Sequence, residues 1–124
     1  MIYNQTLLNV VDNSQGRFAQ CIKIFKGDTA DIGDIILVSL KKIRPAKKNQ
    51  KVKVKKGKVY KALILRMNNY YHRNDGTYIK FNENAIILLD QKEKPLGTRS
   101  FGPSVQELRK LKKFKILSIA SSLV

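Results

Sequence analysis

Apolar and polar residues along the chain alternate in short runs, broken every few residues by Gly, Pro, Asn or Asp. TLLNVVD, residues 6–12, is rich in branched side chains and ends in the turn-like DNSQG, so it reads as a strand. Residues 19–25 alternate, with Cys21, Lys23 and Phe25 on one side and Ile22 and Ile24 on the other. Residues 26–34 carry Gly and Asp and form a loop. DIILVSLKKI is a strand of β-branched and aliphatic residues that Pro45 ends, because proline lacks a backbone donor. KVKVKK alternates with period two, and residues 58–66 are a further strand. Asp75-Gly76 is a turn signal, followed by short strands at 77–81 and 85–89.

The last third is different. Residues 92–104 hold two Pro and two Gly and read as irregular. Pro103 then opens a short helix over 104–111, with Ser104 as cap and Glu107 at capping-box spacing. FKILSIA has the composition of a strand, though its run is too short to separate strand from helix. Many short strands and little helix predict a mainly β fold. The expected form is a single domain over residues 1–124, built as a small antiparallel barrel or sandwich, with closure removing edges that a short chain can hardly cover.

Composition sharpens this. A length of 124 residues with 43% hydrophobic and 27% charged residues suits one globular domain. The net charge is +16, and it is unevenly placed. Residues 41–66 hold twelve Lys or Arg and no Asp or Glu, leaving thirteen against nine in the rest of the chain. A one-sided block of this kind points to nucleic acid, an anionic membrane or an acidic partner.

The cations that would neutralise phosphates are Lys41, Lys42, Arg44, Lys47, Lys48 and Lys51, continuing through Lys53, Lys55, Lys56 and Lys58 to Arg66. Val52, Val54 and Val59 interrupt the lysines, and Gly57 suits a turn, which favours a folded arm over a solvated loop. A β-ribbon would set alternate lysines about 6–7 Å apart along one face. Its binding would be steeply salt-dependent through counterion release. Tyr70, Tyr71, His72 and Arg73 form a second RNA-type cluster, since rings stack on bases and Arg pairs with phosphate. The alternative is that one Tyr is core and the other covers an edge.

Catalysis finds little support. His72 is the lone histidine and Cys21 the lone cysteine, too few for a zinc set. Asp28, Asp31 and Asp34 do not make a calcium loop, and there is no P-loop or GxGxxG. No cofactor or metal is expected. The single cysteine precludes an internal disulfide. The first residues carry no secretory or transit signature.

Several stretches are similar to one family. NVVDNS at 9–14 with CIKI at 21–24, IGDIILVSLKK at 32–42 and VKKGKVYKALILR at 54–66 resemble the universal large-subunit ribosomal protein fourteen. So do Ala62–Leu65, Asp75-Gly76, Phe81, Asn84 and Ile87-Leu88, with Ile87 where the family usually has Val. LGTRSFGPSVQELRK at 96–110 is similar to a further family motif. The chain departs from the family at NSQGR, at the Lys-rich run after Pro45 and at His72-Arg73-Asn74.

The resemblance implies a closed five-stranded barrel, a projecting basic β-ribbon and a short C-terminal helical segment. It implies a non-catalytic constituent of the large ribosomal subunit that binds large-subunit rRNA and bridges to small-subunit rRNA. It further implies a neighbouring protein of the L-nineteen family and, in bacteria and organelles, a ribosome silencing factor, with Thr98, Arg99 and Lys115 at that surface. The abundance of Lys, Asn, Ile and Tyr suggests a mitochondrially encoded protein, with a low-GC bacterium as the alternative source. Rival readings are a free-standing RNA-binding barrel such as an RNA chaperone, an RNA-directed enzyme, and a basic binder of an acidic partner or membrane.

Overall fold

The fold was obtained as a computed structural model, which describes residues 1–45, 54–110, 114–120 and 122–124, with backbone only at 109, 110, 114, 115 and 117. Strands β1 (Leu7–Val10), β2 (Gly16–Ile24), β3 (Ile35–Ile43) and β4 (Val59–Arg66) follow one another where the apolar runs between turn residues place them. Strands β5 (Tyr71–His72) and β6 (Tyr78–Ile79) make a small hairpin, and β7 (Ala85–Leu89) returns to the main sheet. The order β1-β2-β3-β4-β7 closes into a barrel. Four of its seams are antiparallel, and the fifth, β1 against β7, is parallel, pairing Asn9 with Ala85 and Val10 with Ile86. Closure leaves no barrel strand with an unpaired edge, which is how a chain this short satisfies its backbone donors and acceptors.

The interior is aliphatic: Leu8, Val10, Ala19, Cys21, Ile36, Val38 and Leu40 arrive from alternating positions. In β4 and β7 alternation gives way to continuous burial over Ala62–Arg66 and Ala85–Leu89. Strands covered on both faces read this way. The outer cover includes Leu96, whose N–H donates to the Leu88 carbonyl, and the C-terminal segment adds Val105, Leu108 and Ile116 to the same core. Gly16 sits where β2 enters the barrel in tight packing: a Cβ there would stand 3.1–3.2 Å from Val10, Leu40 and Leu88 methyl carbons, which would have to give way by a few tenths of an ångström.

Three local expectations fail. A β-bulge between Cys21 and Lys23 shifts the phase of β2, so Cys21 and Ile24 point inward while Ile22 and Lys23 face out. The helix expected from residue 104 starts later, as α1 (Glu107–Lys110). Ser104 instead belongs to β8 (Pro103–Ser104), parallel to β9 (Ser122–Leu123), whose ladder outcompetes a cap. FKILSIA is not a strand but contains α2 (Phe114–Ile119). Its last carbonyl, that of Ile119, accepts from the Ser100 N–H at 3.0 Å, so the loop before β8 satisfies the helix end.

Candidate nucleic-acid interface

The described part of the lysine block sits at one end of the barrel. Lys41 and Lys42 extend β3 past its last pair with β4, and Lys42 lies opposite Phe18 of β2. The residues preceding β4 fold back beside them: the Gly57 N–H donates to the Leu40 carbonyl at 2.7 Å, and the Leu40 N–H to the Lys58 carbonyl at 3.1 Å. Gly57 takes φ +81° in this turn, a conformation that suits glycine. Val54 is fully buried and pins the start of the turn, while the Lys55 N–H donates to the Tyr60 hydroxyl at 3.0 Å.

Lys41, Lys42, Arg44, Lys55, Lys56 and Lys58 are all exposed. None of them enters an ion pair among the described residues. Lys47, Lys48, Lys51 and Lys53, with Val52, lie outside the described residues. The described cations are interleaved with rings that the sequence reading passed over. Arg17 and Lys42 approach the half-buried Phe18 ring at 5.3 and 5.9 Å from its centroid, and Lys58 stands 5.9 Å from that of Tyr60. A lysine held over a ring keeps its charge directed outward at modest entropic cost.

Arg66 does not belong to this face. Its guanidinium is buried, donating to the Phe101 and Pro103 carbonyls at 2.9 and 3.1 Å and to Glu83 at 2.5 Å. The Arg66 hydrogen bond, reinforced by one from Asn9, holds the Glu83 carboxyl below its ordinary range. Arg66 therefore ties β4 to the C-terminal segment, and phosphate would have to displace an internal carboxylate to reach it.

The cluster at 70–73 is divided in the same way. Tyr71 packs against the core, and burial pushes its phenol pKa up. Arg73 is turned to Glu107 at 2.9 Å and donates to the Val124 carbonyl at 2.6 Å, fastening the β5–β6 hairpin to the C-terminal segment. Tyr70 and His72 are exposed, and both meet Tyr78, which the sequence reading did not single out. The period-two register of β5 would have predicted this division, with Tyr71 turned in and its neighbours out.

A separate surface is built at residues 97–101. Asn13 holds it: its Oδ1 accepts from the Thr98 and Arg99 N–H groups at 2.8 and 3.2 Å, and its Nδ2 donates to Thr98 Oγ1 at 2.8 Å. The Asn13 N–H donates to the Arg99 carbonyl at 3.1 Å. Asp12 is buried beneath, accepting from the Ser14 N–H and hydroxyl and from the Leu88 N–H. Thr98 and Arg99 are exposed, and the Arg99 guanidinium lies 5.8 Å from the Phe101 centroid. The side chain of Lys115 lies outside the described residues. Cys21 and His72 are not brought together: Cys21 is enclosed in the barrel, its thiol pKa raised by burial, while His72 is exposed on the hairpin.

A closed five-stranded barrel whose described lysines at one end have no carboxylate partner among the described residues defines a small basic β-barrel protein. The chain matches the family model of ribosomal protein L14p/L23e over residues 1–124 and belongs to that family. It is accordingly a ribosome-associated protein, of a family of large-subunit structural proteins whose members associate with rRNA and other ribosomal proteins.

Proposed function

We propose that the protein binds large-subunit rRNA through the lysine-bearing end of the barrel and stabilises the large subunit for translation, with no catalytic step of its own. The supporting observation is the segregation of charge. Twelve of the twenty-five Lys and Arg fall in residues 41–66 without one acid, and those described there, Arg66 and Lys61 apart, are exposed and free of carboxylate partners among the described residues. Phosphates supply the missing anions, and counterion release supplies much of the affinity.

The Asn13-held surface of Thr98 and Arg99, with Lys115, is proposed to face small-subunit rRNA across the subunit interface. The same surface would receive a silencing factor, and a neighbouring protein of the L-nineteen family would pack against the barrel. The AT-codon-rich composition favours a mitochondrial ribosome.

Sedimentation of a native extract through a high-salt sucrose gradient at low Mg²⁺ tests the reading. The protein should follow the large subunit at constant stoichiometry. Replacing Lys55, Lys56 and Lys58 with Glu should lower its occupancy. Recovery of the wild-type protein at the top of the gradient would leave a free-standing RNA binder as the better description.

A further inference from the structure

The β5–β6 hairpin carries three rings on its outer side, with Tyr70 and His72 each in contact with Tyr78. Tyr70 and Tyr78 meet edge to face, with centroids 6.2 Å apart and planes at 85°. His72 lies 4.9 Å from Tyr78 at 52°. The Lys80 ammonium stands 5.2 Å from the Tyr70 centroid. Tyr70 and Tyr78 remain 66% and 64% exposed, so ring surface stays open to a ligand although an edge of one is packed on a face of the other.

The platform is preorganised. The Asp75-Gly76 turn is held by Thr77, whose N–H and hydroxyl donate to Asp75 Oδ1 at 3.0 and 2.6 Å, and by the Arg73 N–H donating to the Thr77 carbonyl at 2.8 Å. The Arg73–Glu107 pair then fixes the hairpin against the C-terminal segment. A rigid cluster of exposed rings with an ammonium at its margin has the chemistry of a base-stacking site. A flat π-face meets one ring and the cation meets the adjoining phosphate. Arg73 is already paired and Asp75 repels phosphate at the tip, so this site recognises bases more than backbone.

We infer that Tyr70, His72 and Tyr78, with Lys80, form a stacking platform for an unpaired base of single-stranded or looped RNA, distinct from the lysine end of the barrel. The inference rests on the rRNA-binding reading and adds the chemical class of its ligand. The exposed rings are not explained by the fold: Tyr71 and Ile79, on the opposite side of the hairpin, supply its contact with the core.

The test is titration of the full chain into an oligoadenylate decamer bearing one 2-aminopurine, in parallel with a large-subunit rRNA transcript. The wild-type protein should quench the 2-aminopurine. Tyr70→Leu and Tyr78→Leu should each weaken decamer binding roughly five- to hundredfold with an unchanged salt slope. Tyr78→Phe, which keeps the ring, should restore both affinity and quenching. Lys80→Gln should instead reduce the slope of log K against log salt by about 0.7. Melting curves identify any variant that has lost its fold, and Tyr78→Phe then carries the comparison.

Binding of the transcript without quenching, or with affinity indifferent to both Leu substitutions, would overturn the platform and leave rRNA binding intact. Binding of neither RNA would overturn both. Shielding of the hairpin by a neighbouring protein in nuclease-treated subunits, without quenching by the isolated chain, would reassign the rings to a protein contact and overturn the platform.

Discussion

Asn13 and Thr98, 85 positions apart in the chain, exchange two hydrogen bonds of 2.8 Å, one through each end of the Asn13 amide. The turn after β1 thereby sets the shape of the surface that carries Arg99. Asn13→Ala should remove both bonds together with the third, to the Arg99 N–H, and cost about 1–2 kcal/mol of stability. It should reduce association of the subunits more than incorporation of the protein into the large one. Gly97→Ala should have the same effect by steric means, since its Cβ would come within 2.6 Å of Asn13 Oδ1. Sucrose-gradient comparison of free subunits with whole ribosomes separates the two effects.

Removal of the Arg66 guanidinium orphans two carbonyls and leaves Glu83 without its cation. Arg66→Met should destabilise the protein by about 2–3 kcal/mol, read from chemical denaturation. Lys58→Met, at an exposed position, should change stability by no more than about 0.5 kcal/mol while weakening RNA binding.

The same pair makes stability acid-sensitive. The Glu83 pKa is depressed in the folded state, first by the Arg66 hydrogen bond. Its contribution is present above the ordinary carboxyl value of 4.5 and is lost as pH falls from there through the lower folded value. Tm should therefore decline below about pH 4.5, and Glu83→Gln should reduce that decline while lowering Tm at neutral pH.

Gln15 takes φ +76° and is buried, and its side-chain amide has no hydrogen-bond partner among the described residues. Both features oppose folding. Gln15→Gly should relieve them and raise stability by about 1 kcal/mol, provided that the Arg44 N–H keeps its 2.7 Å bond to the backbone carbonyl at this position. A thermal melt of the variant decides the sign.

Cys21 reports on the barrel itself. Enclosed and with its thiol pKa raised by burial, it should resist an aromatic disulfide reagent in the native protein and react with the rate of opening. Rapid labelling under native conditions would show that the barrel opens locally at β2.

The sequence by itself determined most of the barrel. Runs of branched and aliphatic residues bounded by turn residues placed β1 to β4 and β7, with alternation visible in β2, where one face meets the core and the other does not. The charge block was equally legible, and its described lysines, Lys41, Lys42, Lys55, Lys56 and Lys58, lie together at one end of the barrel. Tertiary structure decided what local pattern cannot carry. The bulge in β2 turned Lys23 out after Cys21, and the parallel β1–β7 seam depended on two segments some 75 residues apart meeting in register. The six-residue run of α2 is helical, and the Ser100 N–H donates to its last carbonyl. The fate of the cations was settled in the same way. Arg66 and Arg73 look like Lys56 and Lys58 in sequence, yet Glu83 and Glu107 draw the first two inward. An arginine's role follows from whether the fold brings a carboxylate to it, and that is a property of distant residues rather than of its neighbours.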